Sequence, residues 1–97
     1  MKARIVSAQI RPGKTSEAIA IYRDSVVPAA KQHKGFKAAL LLTDPDADKA
    51  LSITLWETDA DMTSGEASGF LKEQIAKFGA VFSAPPGREH YDVSVQG

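Results

Sequence analysis

The chain has 97 residues, twelve basic and twelve acidic, and no cysteine. That length suits a single domain, 1–97, able to bury roughly two-thirds of its unfolded surface without a disulfide or a structural metal. The missing cysteine excludes a disulfide framework, thiolate zinc sites and thiol catalysis, and the balanced charge gives no field for nucleic acid or an anionic membrane.

No segment approaches the roughly 20 apolar residues of a membrane span. Met1-Lys2-Ala3-Arg4 leads straight into alternating residues rather than the apolar run of a signal peptide. The expectation is a soluble, cytoplasmic protein with neither a nucleic-acid nor a membrane partner.

Lys2 to Arg11 alternates as a strand, with Val6, Ala8 and Ile10 on one side and Ala3, Ile5, Ser7 and Gln9 on the other, and Pro12-Gly13 ends it. Apolar side chains on both sides imply that neither face is simply solvated. Thr15 or Ser16 can cap the helix that follows, and Glu17 complements its dipole. Ile19, Tyr22, Val26, Ala29 or Ala30, and His33 recur at helical spacing. Pro28 lies inside this pattern and removes one intrahelical donor, so the spacing predicts a kinked helix over 15–34 that Gly35 ends.

Ala38 to Leu42 is a short apolar run, the pattern of a strand buried on both faces. Thr43 to Asp48 is turn chemistry, and Ala50 to Trp56 returns as a two-sided strand. Leu51, Ile53 and Leu55 take one face of it, while Ala50, Ser52, Thr54 and the only tryptophan, Trp56, take the other. Thr58 or Asp59 opens a short helix interrupted by Gly65 and Gly69. A further helix runs from about Phe70 to Phe82 with Leu71, Ile75, Phe78 and Phe82 as its stripe. After the stiff Ala84-Pro85-Pro86-Gly87 loop, Arg88 to Val95 alternates as a last strand, with Tyr91, Val93 and Val95 opposite His90, Asp92 and Ser94.

Strand, helix, strand, strand, helix, strand is the order of the α+β, ferredoxin-like split βαβ fold. Its helices cover one face of a four-stranded antiparallel sheet. The second face is then bare yet apolar, which predicts a homodimer that packs two such faces together.

With these elements placed, VVPAAKQHKGFKAALLL, SITLWETDADM and APPGREHYDVSV resemble the antibiotic biosynthesis monooxygenase family of the dimeric α/β-barrel superfamily over nearly the whole length. The resemblance implies a dimer of ferredoxin-like subunits, each with a pocket between helices and sheet. Members acting on polycyclic phenols oxygenate them without metal or flavin, and others degrade haem. In the phenol-oxygenating type an Asn, a Trp, a Tyr and an Arg surround the strand-to-helix junction. Here Trp56 matches, while Ser52, Met62 and Ala76 stand at the other three positions. The haem-degrading type needs an Asn on the first strand and a His near the second helix. This chain has no asparagine, with Gly65 and Ile75 at the nearest helix positions.

Other residues have plain alternatives. Trp56 reads either as a plug at the strand end or as a ligand contact. His33 reads as a last-turn histidine that suits the helix dipole or as a further ligand contact, and His90 as a solvated or dimer-facing residue. Asp44, Asp46 and Asp48 open like a calcium loop, but Lys49 stands where its glycine belongs and Leu55 where its bidentate glutamate belongs.

The expectation is therefore a cofactor-independent monooxygenase acting on a small phenolic or quinol-like compound, with no metal and no cofactor. Trp56 and Ser52 are its catalytic candidates, and Tyr22, Met62, Phe78 and His33 contact the substrate. The competing expectation is a non-catalytic dimeric module of the same fold that binds a small apolar or aromatic ligand or serves a structural role.

Overall fold

The computed structural model describes residues 1–97. The sheet contains β1 (Lys2–Gln9), β2 (Phe36–Asp44), β3 (Lys49–Trp56) and β4 (Gly87–Asp92), in the order β2-β3-β1-β4, with every neighbouring pair antiparallel. Register places Arg4 opposite Thr54, Val6 opposite Ser52 and Ala8 opposite Ala50, so these side chains share one face. The helices cover that face. The expected α+β split βαβ fold is the one observed, and no helix is long and apolar enough to cross a membrane.

The first helix departs from a simple proline kink. α1 (Thr15–Ile21) passes into a π-helical turn, Tyr22–Val26, and then into α2 (Val27–Ala30). The Val27 amide bonds the Tyr22 carbonyl, one residue further along than α-helical geometry allows. Pro28 offers no amide to the preceding turn, and the hydrogen bonding widens there before α2 resumes with the proline in its first turn. The helix also stops at Ala30, short of 34, and Lys31–Gly35 turns toward the sheet. Gly35 has φ +82°, and a Cβ there would run into the Asp61 side chain, so the glycine lets the chain pass under the next helix.

That helix, α3 (Asp59–Ala67), is opened by Thr58, whose Oγ1 accepts from the Asp61 amide at 3.1 Å. Gly69, at φ +84°, separates it from α4 (Phe70–Ala76). α4 is shorter than the apolar stripe predicts. Residues 77–81 continue as turns whose Phe78 and Val81 still reach the core. β4 likewise ends at Asp92, and Val95 lies outside it, 90 % exposed.

The core lies between sheet and helices, with Ala8, Ile10, Ala18, Tyr22, Val26, Ala50, Phe78 and Val81 in one cluster. β2 is not buried on both faces within the protomer. It is an edge strand whose Ala39 and Leu41 pack inward, while Leu40 and Leu42 project from the other face about half exposed. Ile5, Leu51, Ile53, Leu55 and Tyr91 share that outer face by register.

Candidate functional site

Two clusters of different character occupy the helix-facing side of the sheet. The first is a pocket under α1 and α4. Its cavity is about 60 Å³, walled mainly by apolar side chains such as Leu41, Ile75 and Phe78. Its polar edge is the Tyr22 hydroxyl, 2.9 Å from Ser52 Oγ and donating to the Leu40 carbonyl at 3.2 Å. Tyr22 starts the π-helical turn and is nearly fully buried, whereas Ser52 is half-buried on β3. Burial raises the Tyr22 pKa, opposed by the Ser52 hydrogen bond and by the positive charge of Arg4. The phenol is thus held as a neutral donor. Phe78 and Phe82 stack at 5.0 Å and 9°, and both line the pocket with Ile75.

The second cluster surrounds Trp56. Its ring is fully buried, its indole N–H donates to Thr54 Oγ1 at 3.0 Å, and Phe36 meets it edge-on at 5.7 Å. The Arg4 guanidinium sits over the indole at 5.4 Å and donates to the Met62 carbonyl at 3.2 Å. Arg4 is 3 % exposed, and burial lowers its pKa against the opposing pull of Glu66. Glu66, on α3, meets side chains from two strands: Arg88 Nη1 at 2.9 Å, His90 Nε2 at 3.0 Å and Arg4 Nη1 at 3.6 Å. Although His90 Nε2 lies 3.0 Å away, the buried Glu66 Oε2 has no hydrogen bond.

The sequence-derived candidates therefore divide. Tyr22, Ser52 and Phe78 meet at the pocket. Trp56 and Met62 do not line it. Ser52 and Trp56 share a face of β3, but four residues at a strand's rise put them about 13 Å apart, and α3 closes over the tryptophan end. Met62 is fully buried beside Arg4. His33 joins neither group, because its ring packs on Phe70 at 4.0 Å. His90 stays exposed, as the solvated reading expected, and its Nε2 also lies 3.0 Å from Glu66. The group that sequence reasoning missed is Arg4, Glu66 and Arg88. Its signal was Arg4 in phase with Val6 and Ala8, a charge on the inward side of a strand, with Arg88 and His90 in phase on β4.

No family model matches the sequence, and no curated protein matches it. Solved structures do. A Bordetella bronchiseptica protein assigned to the antibiotic biosynthesis monooxygenases superposes with a TM-score of 0.81 at 21 % identity, covering 97 % of each chain. SnoaB of Streptomyces nogalater, a cofactor-independent oxygenase, gives 0.79 at 10 % identity over 98 % of this chain and 94 % of its own. The ActVA-Orf6 monooxygenase of Streptomyces coelicolor, solved with nanaomycin D, gives 0.77 at 14 % identity over 98 % and 88 %. This chain has the fold of those proteins over nearly its whole length.

Proposed function

We propose that the chain is a small cofactor-independent oxygenase that takes a phenolic or quinol-like compound into the pocket under α1 and α4. The observation that carries the reading is the Tyr22–Ser52 hydroxyl pair in a mainly apolar pocket whose other polar lining is Gln74, with Tyr22 set on a π-helical turn. Apolar walls suit an aromatic ring, and two hydroxyls that already bond each other can exchange that bond for a substrate oxygen. Tyr22 would donate and Ser52 would accept or donate, which fixes the ring's orientation. The substrate would supply both electrons: one oxygen atom of O₂ enters a ring carbon and the other leaves as water with two substrate hydrogens. No carboxylate or imidazole lines the pocket. The chain's contribution is then positioning and exclusion of water. The likeness to SnoaB and to ActVA-Orf6 in fold supports this class of reaction.

The cavity volume favours a second reading. About 60 Å³ is well below the roughly 300 Å³ of a ligand site, as a non-catalytic module with a filled core would have. Oxygen uptake with a panel of anthrones and reduced quinols separates the two. The oxygenase reading expects uptake that falls in Ser52→Ala and Tyr22→Phe. No uptake above the protein-free rate across the panel leaves the module reading in place.

The same proposal makes the protein a cytoplasmic homodimer joined through the outer sheet face. Leu40, Leu42 and Tyr91 are about half exposed there beside Ile5, Leu51 and Ile53, an apolar patch of a kind that monomers seldom leave bare. Light scattering at micromolar concentration should give twice the chain mass of 10.4 kDa. A monomer mass would refute the dimer.

A further inference from the structure

We propose that Glu66 is the latch of a lid made by α3 and α4, and that the pocket opens when this latch releases. The strands under the pocket cannot retreat, since each is hydrogen-bonded along its length to a neighbour. Of the two helical covers, α4 is the one with a hinge. It supplies Leu71, Gln74 and Ile75 to the pocket, and the turn after it supplies Phe78. It joins α3 through Gly69 in left-handed geometry.

The start of α3 is fixed. Thr58 caps it, and Asp61 lies against Gly35. Its far end is held differently, by one carboxylate facing three cationic or ionisable groups on β1 and β4: Arg4, Arg88 and His90. That attachment is incomplete in the closed state. Glu66 Oε2 is buried with no hydrogen bond, and Arg4 approaches only to 3.6 Å. A buried carboxylate oxygen left without a donor weakens the closed arrangement relative to one in which water or a rotated His90 reaches it. Gly65, next to the latch, has Phe70 against it, where an added Cβ would meet the ring at 3.3 Å. The turn of α3 that carries Glu66 thus packs against the first residue of α4.

The lid rests on the pocket being the ligand site only in its second readout. Hydrogen exchange is measured on wild type, Glu66→Gln, Arg88→Gln and the exposed control Lys72→Gln. The lid expects amides of residues 59–76 to exchange about tenfold faster in the first two variants, with β1, β3 and the control unchanged. Arg88→Gln keeps Arg4 paired with Glu66, so it reports on the latch even where Glu66→Gln folds poorly. Unchanged exchange over 59–76 in both variants overturns the proposal. So does a rise shared equally with β1 and β3, which would make Glu66 a staple of the whole fold. The second readout is stopped-flow binding of 2-naphthol, expected to associate about tenfold faster with Arg88→Gln than with wild type. If naphthol binds neither while the local exchange still rises, the lid stands and the ligand reading of the pocket fails.

Discussion

The two halves of the sheet's covered face differ in kind. Around Tyr22 and Ser52 the packing is mainly apolar, and a neutral hydroxyl pair and the Gln74 amide supply the pocket's polar lining. Around Trp56 it is dense and charged, with Arg4 between an indole and a carboxylate. A neutral hydroxyl pair can exchange partners at small cost. A buried guanidinium stacked on a ring and bonded to a backbone carbonyl cannot, because breaking either interaction leaves a desolvated charge without its partner. Under the proposed function the first half would take the ligand, and the second would anchor the sheet beside it.

That contrast can be broken by mutation, and the largest effect should come from the frame. Trp56→Ala removes a fully buried ring and should cost about 3–5 kcal/mol in chemical denaturation. A loss below about 1 kcal/mol would mean the tryptophan is not a packing element. Arg4→Met should cost about 1–3 kcal/mol, because Glu66 keeps Arg88 and His90 while the Met62 carbonyl loses its donor. Pairing it with Glu66→Leu should recover part of that loss, as replacing both members of a buried ion pair commonly does.

The pocket side should respond less in stability and more in activity. Ser52→Ala should cost about 0.5–1.5 kcal/mol. The smallest effect is alkaline. Burial raises the folded-state pKa of Tyr22, so the folded chain holds that proton more tightly than the unfolded chain does. The resulting stability is fully present below the unfolded tyrosine value near 10 and is lost as pH rises through the folded value. Tyr22→Phe should flatten the loss of stability above about pH 10 in denaturation curves. An unaltered alkaline limb would show that the phenol is not held neutral by burial.

The fold was legible because its signals are local and repeated. Alternation marked β1, β3 and β4 and an apolar run marked β2, while Thr58 marked the start of α3, and Pro12-Gly13 and the aspartate turn marked the breaks. The π-helical turn was half legible. Pro28 announced a disturbance, but whether a helix bends or widens depends on what its side chains pack against. In the site, Tyr22 and Phe78 could be placed by helical phase, and Ser52 by strand phase. The separation of Trp56 from Ser52 was also implicit in strand rise, yet how α3 crosses the sheet decides which of them faces open space. The Glu66 cluster gathers residues from β1, α3 and β4, and no spacing within one element reveals such a meeting.

The proposed oxygenase function turns on which half would do the chemistry. Oxygen uptake should therefore be compared in Ser52→Ala and Trp56→Phe, each against wild type, with the anthrone or quinol that wild type turns over fastest. Ser52→Ala is predicted to lower kcat/KM by about tenfold or more, the loss of one orienting hydrogen bond. Trp56→Phe, which keeps a ring under Arg4, is predicted to stay within about threefold of wild type. The reverse order, with Trp56→Phe inactive and Ser52→Ala unaffected, would contradict this division and move the reacting site to the tryptophan end of the sheet.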